Sequence, residues 1–274
     1  MKIRIAHSPD SDDAFMFYGL ASGKVPSPGY ELEHVLSDIE TLNRAAFDGR
    51  YEITAVSFHA YAHLTDKYIL LPHGASMGDR YGPVVVARKD GPSSLKGVRV
   101  AIPGELTTAF LSLRLFDPEV EHVVMPFDQI QDKVHSGAVQ AGLLIHEGQL
   151  TYAEEGLKKI VDLGEWWKRN TSLPLPLGGN VVRKDIAPPV RRDISEIIRD
   201  SIDYGLAHRD EAVAYSLAFA RDMNSQLASK FIGMYVNEFT RDYGESGRAT
   251  IRKFLSDGYQ KGYIGVPINV EYVE

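Results

Sequence analysis

A histidine directly follows a continuous apolar run in the middle of the chain. The run extends from Ala141 to Ile145, and His146, Glu147 and Gly148 end it abruptly. An apolar run of this length, bounded by a turn signal, is typical of a strand that is buried on both faces. In open α/β sheets, ligands bind just beyond the carboxyl ends of such strands. Because an imidazole can take and return a proton near neutral pH, His146 is a candidate general base. The alternative is a histidine that only caps the strand and bonds to the backbone.

A second candidate site lies where another strand-like segment ends, at Ile102-Pro103-Gly104. Thr107 and Thr108 follow at the start of a predicted helix. A helix N-terminus presents unpaired N–H groups and the positive end of the helix dipole, so it can bind a carboxylate or phosphate without a cationic side chain. The two threonine hydroxyls would add hydrogen-bond donors there, and ordinary N-capping is the alternative role.

The bulk composition limits which elements and partners are expected. The chain has 274 residues, of which 44% are hydrophobic, enough for two modest lobes or one large domain. Its net charge of −7 disfavours nucleic acid and anionic membrane surfaces as partners. The absence of cysteine excludes disulfides and Cys-ligated metal sites. The sequence begins in a strand-like alternation without a signal peptide's apolar region, and no later run could span a bilayer, which predicts a cytoplasmic protein.

Strand-like and helix-like segments alternate through the first two thirds of the chain, whereas residues 188–262 have a helical pattern only. The predicted strands cover residues 2–7, 30–36, 52–57, 67–72, 83–89, 98–102, 120–125, 139–145, 157–163 and 180–184. Alternation of this kind is typical of mostly parallel sheets with helices on both faces.

Two internal echoes predict that this pattern occurs twice. In the first, a helix that begins Asp38-Ile-Glu-Thr-Leu leads to the strand before Phe58, and a helix that begins Asp128-Gln-Ile-Gln-Asp leads to the strand before His146. In the second, β-branched runs at 84–90 and 181–185 both close in Arg-Lys-Asp. Each echo alone could arise by chance, because amphipathic α/β units resemble one another.

Together the echoes predict two similar lobes joined by two crossings of the chain. Residues 1–88 plus 185–274 would form the first lobe, and residues 89–184 the second. This is the plan of an α/β, two-lobed, periplasmic-binding-protein-like (type II) fold, with two mixed sheets flanked by helices and a ligand cleft between the lobes. The tail after Gly262 would pack either on the first lobe or in a homodimer contact, and the sequence leaves both open.

This plan predicts which residues face each other across the cleft. The strand ends at Ser57 and at His146-Glu147 should do so. The two strand-to-helix turns, at Ser8-Pro9 and at Gly104, should as well. We therefore expect Ser8, Pro9, Gly104 and Glu147 to contact the ligand.

The chain resembles the 1,4-dihydroxy-6-naphthoate synthases of menaquinone biosynthesis, the MqnD family of the futalosine pathway. The matching segments occur in the same order nearly end to end: Ser8-Pro9 with Asp13-Ala14-Phe15, Asp38 to Asn43, Ala60-Tyr61-Ala62, Gly82 to Arg88, Pro103-Gly104 with Thr107-Thr108, Ile145-His146-Glu147 with Thr151-Tyr152, Val161 to Trp167, Leu173 to Gly178, and Tyr235-Val236-Asn237. So many matches in one order are more specific than any single motif.

The resemblance implies a cytoplasmic enzyme that binds a small anionic substrate and uses no cofactor or metal. The substrate would be cyclic dehypoxanthine futalosine, and the products 1,4-dihydroxy-6-naphthoate and dihydroxyacetone. The histidine matching His146 is the family's proposed general base. Residues matching Ala55, Val56 and Ser57, and those matching Thr107 and Thr108, contact the substrate.

One loop departs from the family pattern, because Asp10-Ser11-Asp12 stands where the family commonly has Cys-Pro-Asn. The acidic loop could hold a cation, although helix capping fits it better. His59 and His63 have the i, i+4 spacing of a zinc site but lack a protease motif's glutamate, which favours a solvated helix face. Two other functions stay open: chorismate dehydratase of the same pathway, against which the His146-Glu147 stretch argues, and a non-catalytic small-anion binder.

Overall fold

The computed structural model of the protein describes residues 1–219 and 224–274. The strands are β1 (Lys2–His7), β2 (Glu31–Leu36), β3 (Ile53–Ser57), β4 (Tyr68–Leu70), β5 (Ser76–Gly78), β6 (Val84–Arg88), β7 (Arg99–Ile102), β8 (Glu121–Val124), β9 (Ala141–Leu144), β10 (Leu157–Asp162) and β11 (Leu175–Arg183). The helices of the first two thirds are α1 (Ser11–Met16), α2 (Tyr18–Ala21), α3 (Ile39–Phe47), α4 (Phe58–Tyr61), α5 (Thr108–Phe116), α6 (Ile130–His135), α7 (Gly148–Thr151) and α8 (Leu163–Thr171). The C-terminal helices are α9 (Pro188–Ala207), α10 (Arg209–Ser216), α11 (Ser225–Tyr235), α12 (Glu238–Arg241) and α13 (Gly244–Gln260).

The strands form two separate mixed sheets of matching order. The first runs β2-β1-β3-β11-β4, with β5 paired to β11, and the second, written in the corresponding direction, runs β8-β7-β9-β6-β10. In each sheet the first three strands are parallel, and the fourth is antiparallel to the third. The predicted two-lobed α/β architecture is confirmed.

Both internal echoes correspond to equivalent positions in the two sheets. The strand before Phe58 and the strand before His146 are β3 and β9, each the third strand of its sheet. The two Arg-Lys-Asp runs belong to β6 and β11, which lie antiparallel to β9 and β3. The predicted boundaries at 88 and 185 need correction. All of β6 belongs to the second sheet and all of β11 to the first, so each crossing precedes its strand instead of following it.

Buried apolar side chains from both lobes pack into one cluster. Val56 and Phe58 of the first lobe share it with Val85 and Ile102 of the second, and all four are completely buried. Strands β3 and β9 are buried along their whole length, as expected for strands covered on both faces. The lobes are therefore packed together beside the cleft.

The C-terminal helices complete the first lobe. Helix α9 packs on α1 and α2 and buries Ile194, Ile198 and Ile202 against Ile3 and Ile5 of the first sheet. The tail after Gly262 also returns to this lobe, where Tyr272 forms a parallel bridge with Leu70 of β4. Within residues 1–219 and 224–274, no helix is both long and apolar enough to cross a membrane.

Candidate active site

A cavity of about 130 Å³ lies between the two lobes. Residues of both lobes line it: Ser8, Asp10, Asp12, Asp13, Ile39, Ala55, Val56, Ser57, Gly74, Ser76, Pro83, Thr107, Thr108, Ala109, Ile145, Gln149, Leu177, Gly178, Gly179, Asn180, Phe231 and Tyr235. The carboxyl ends of β1, β3 and β9 contribute to the lining, which is where α/β sheets bind ligands.

A buried asparagine fixes the hydroxyl of Ser57 at the end of β3. Asn43 of α3 is completely buried, and its Oδ1 accepts a 2.8 Å hydrogen bond from the backbone N–H of Ser57. The Nδ2 of Asn43 donates to Ser57 Oγ at 3.1 Å. Because the oxygen of Ser57 already accepts this bond, its hydroxyl hydrogen is available as a donor to a ligand in the cavity.

The N-terminus of α5 meets the same cavity from the second lobe. Thr107 is the N-cap: its Oγ1 accepts from Phe110 N–H at 3.2 Å and donates to Gly104 O at 2.8 Å. Its hydroxyl is therefore occupied by capping. Thr108 Oγ1 accepts from the backbone N–H of His59 in the first lobe at 3.2 Å, which leaves its hydrogen free to be donated.

His146 lies beside the cavity, directly after β9. Its neighbours Ile145 and Gln149 line the cavity, whereas the imidazole is 13% exposed and packs edge-on against Phe127, with ring centroids 5.7 Å apart. The backbone N–H of Gly148 donates to His146 Nδ1 at 3.1 Å. A neutral ring that accepts at Nδ1 carries its proton on Nε2, so this contact selects the tautomer.

The three residues after His146 lie against the imidazole or bridge to the first lobe. Glu147 is buried, with Oε2 3.9 Å from His146 Nδ1, too far for a hydrogen bond. A Cβ at Gly148 would lie 2.9 Å from His146 Cε1, so glycine permits the observed ring position. Gln149 Oε1 accepts a 2.6 Å hydrogen bond from the Tyr235 hydroxyl of α11, which bridges the second lobe to the first.

The end of the loop after β1 and the first turn of α1 bring three aspartates to the cavity wall, Asp10 from the loop and Asp12 and Asp13 from the helix. The backbone N–H of Ser8 donates to Asp13 Oδ2 at 2.8 Å, and its hydroxyl donates to Asp10. Ser76 of β5 donates to Asp12 Oδ2 at 3.4 Å. Burial is the largest cause that raises the pKa of Asp12 to about 7, and the negative charge of Asp10 is the next largest. Burial, followed by the negative charge of Asp12, raises the pKa of Asp13 well above its ordinary value.

The structure brings most of the predicted contact residues together. Those that line the cavity are Ala55, Val56, Ser57, Thr107, Thr108 and Ser8. Pro9, Gly104 and Glu147 do not line it, and neither does His146, which lies beside it. A Cβ at Gly104 would collide with the Glu40 side chain. The glycine therefore allows α3, which carries Glu40, to pack closely against the second lobe.

Several residues that the sequence did not identify as site residues also belong to the site. Asn43 positions Ser57, Gln149 and Tyr235 bridge the lobes, and Asn180 of β11 lines the cavity. One signal was available in the sequence, because Asn43 interrupts the apolar face of an amphipathic helix. The others come from elements far apart in the chain.

The two histidines with the spacing of a zinc site differ in burial. His59 is buried, not on the predicted solvated face, whereas His63 is exposed. Burial, followed by the nearby His63, lowers the pKa of His59 to about 4. Among residues 1–219 and 224–274, no group of three His, Cys, Asp or Glu side chains is arranged to hold a metal ion.

Two mixed α/β lobes with a ligand cavity between them define a protein of the periplasmic-binding-protein-like class. Solved structures agree at low sequence identity. One is a Candida albicans protein described as having the generic periplasmic binding protein fold, with a TM-score of 0.74 and 12% identity, covering 100% of this chain and 98% of that one. Identity this low supports the fold alone.

The chain belongs to the menaquinone biosynthesis family, whose model matches residues 3–260. It is 41% identical to the 1,4-dihydroxy-6-naphthoate synthase of Thermus thermophilus, over 95% of both chains. It is 36% identical to the enzyme of the same name from Streptomyces coelicolor, over 96% of this chain and 94% of that one. A crystal structure of protein AF1704 from Archaeoglobus fulgidus has a TM-score of 0.92 and 49% identity, covering 96% of this chain and 98% of that one.

Proposed function

We propose that this chain is a 1,4-dihydroxy-6-naphthoate synthase of menaquinone biosynthesis. It acts as a carbon–carbon lyase that converts cyclic dehypoxanthine futalosine to 1,4-dihydroxy-6-naphthoate and dihydroxyacetone. Membership of the family and two relatives of that name support the assignment. The observation that carries it is the convergence of the α5 N-terminus and the Ser57 hydroxyl on a cavity beside His146.

The substrate carboxylate binds at the N-terminus of α5. This helix has nine residues, and the N–H groups of its first turn have no partner within the helix. The dipole of the helix and the hydroxyls of Ser57 and Thr108 stabilise a negative charge there. Such a site binds an anion without Lys or Arg, in keeping with the acidic composition of the chain.

His146 acts as the general base that removes a proton from the sugar-derived ring. Cleavage of a carbon–carbon bond then releases the three-carbon product, and formation of the naphthalene ring system drives the reaction forward. In the observed conformation, Gly148 N–H is hydrogen-bonded to the lone pair of His146 Nδ1. Proton transfer at Nδ1 therefore requires the substrate to replace Gly148 as the partner of this nitrogen.

Substrate entry requires the lobes to move apart. Pockets for drug-sized ligands usually measure about 300–1,000 Å³, more than the cavity observed here. The hydrogen bond between Tyr235 and Gln149 spans the lobes and must break when the cleft opens. Closure over the substrate would then exclude water and protect the intermediate. We also propose that the enzyme works in the cytoplasm without a cofactor.

Incubation of the purified protein with cyclic dehypoxanthine futalosine tests the proposal. We expect 1,4-dihydroxy-6-naphthoate and dihydroxyacetone in equal amounts by mass spectrometry. Chorismate consumption without naphthoate formation would identify a dehydratase instead. Tight binding of the futalosine derivative without any product would identify a non-catalytic binder.

A further inference from the structure

The cavity also has a polar wall that is formed by α1, β5 and β11. Asn180 of β11 is only 1% exposed, and its Nδ2 donates to the backbone oxygen of Gly74 at 3.1 Å. Its Oδ1 is buried and accepts no hydrogen bond within residues 1–219 and 224–274. A buried acceptor in a cavity wall, whose amide nitrogen is already engaged, is suited to a donor supplied by the ligand.

Asp12 supplies a second oxygen-bearing group to the same wall. Among the described residues, the side chain that hydrogen-bonds to its carboxyl is Ser76, whose Oγ donates at 3.4 Å and therefore weakly, while backbone N–H groups of Asp12 and Asp13 also interact with the carboxyl. Ser76 in turn lies opposite Gly178 of β11, two residues before Asn180. The wall therefore presents a carboxyl and an amide oxygen that neighbouring side chains leave largely unused.

We propose that Asp12 and Asn180 form a subsite that binds the hydroxyl groups of the substrate's sugar-derived part. A sugar hydroxyl donates to the Asn180 oxygen, and another exchanges hydrogen bonds with Asp12. The inference rests on the proposed function, because it assumes a substrate with a carboxylate at one end and hydroxyls at the other. With the carboxylate at α5, this subsite fixes how the sugar-derived ring is oriented.

The protonation of Asp12 is compatible with this role. Burial and the neighbouring Asp10 raise the pKa of Asp12 to about 7, so near neutral pH much of the carboxyl is neutral. A neutral carboxyl both donates and accepts hydrogen bonds, as an asparagine amide does. Its neutral form also avoids repulsion of an anionic substrate.

Steady-state kinetics with two ligands test the subsite. The substrate carries the sugar-derived hydroxyls, whereas 2-naphthoate has a bicyclic skeleton with a carboxylate and no hydroxyl. For Asp12→Ala and Asn180→Ala, we expect KM for the substrate to rise about tenfold, the effect of losing one good hydrogen bond. The inhibition constant of 2-naphthoate should change by less than about twofold, and inhibition by this ligand also confirms that each variant is folded. Asp12→Asn, unlike Asp12→Ala, should have a KM close to that of the wild type.

The outcomes separate this inference from the proposed function. An unchanged KM in both alanine variants, or an equal loss of affinity for both ligands, overturns the subsite while leaving the proposed function in place. A wild-type protein that does not convert the futalosine derivative refutes the proposed function. In that case, equilibrium affinities of the two ligands for wild type and Asp12→Ala decide the subsite by the same comparison.

Discussion

Replacement of Ser57 by alanine tests the carboxylate site. The change removes one hydroxyl donor at the α5 N-terminus and keeps the backbone N–H of residue 57, which still donates to Asn43 Oδ1. A hydrogen bond to a charged group contributes about 1.5–3 kcal/mol. At about 1.4 kcal/mol for each factor of ten, affinity for a carboxylate ligand should fall about 10- to 150-fold.

The same change has a cost in stability that can be measured separately. Asn43 is fully buried, and its Nδ2 loses its Ser57 acceptor at 3.1 Å. A buried donor left without a partner destabilises a protein by about 1–3 kcal/mol. For a chain near this size, each kcal/mol lowers Tm by about 2–4 °C, so the variant should remain folded at room temperature.

Titration calorimetry with 2-naphthoate and its neutral analogue 2-naphthamide provides the assay. Ser57→Ala should weaken the carboxylate strongly and the amide only slightly, because the lost bond is charge-assisted only for the carboxylate. Ser76→Ala is the matched control, since it removes a hydroxyl from a different part of the same cavity. Equal affinities of wild type and Ser57→Ala for 2-naphthoate would refute the carboxylate site.

Three further predictions follow from individual contacts. Gly148→Ala should lower turnover about tenfold or more with little change in Tm, because its Cβ would collide with Gln131 and approach His146 Cε1 at 2.9 Å; wild-type turnover would contradict this. Asp12→Asn should raise Tm at pH 8, with the gain shrinking toward pH 4. Asp12 lies beside Asp10, Asp13, Ser76 and Tyr235, and its pKa is raised from 3.8 to about 7 in the folded state. The stability that the neutral carboxyl contributes is therefore lost as the pH rises from about 4 through 7. When the pH is lowered from 7 to 5, the free energy of unfolding of His73→Gln, measured with urea, should fall less than that of the wild type. Burial lowers the pKa of His73 to about 4, so on unfolding below pH 6.5 it takes up a proton, and an identical pH dependence would count against this cause.

The repeat of the fold could be predicted from the sequence because local patterns determine it. Similar helix starts and apolar runs before Phe58 and His146 correspond to equivalent strands of the two sheets. The positions of the crossings could not be predicted in the same way. The strand after each crossing joins the other lobe, and nothing in an Arg-Lys-Asp terminus shows which sheet its strand will join.

The candidate site was predictable where it lies at the ends of strands. Ser57 and Thr108 occupy such positions, and a position relative to a strand can be inferred from local sequence. Asn180 and Tyr235 could not be inferred, because only tertiary packing brings β11 and α11 to the cavity. The orientation of His146 was also not predictable, since it depends on the Gly148 N–H and on Phe127.

Single-turnover kinetics of His146→Asn test most directly whether this imidazole performs the proton transfer between the lobes. Asparagine retains polarity and approximate size but cannot act as a base at neutral pH. We predict that the variant binds cyclic dehypoxanthine futalosine with nearly wild-type affinity and forms naphthoate at least about a hundredfold more slowly. Naphthoate formation at close to the wild-type rate would contradict the assignment of His146 as the general base.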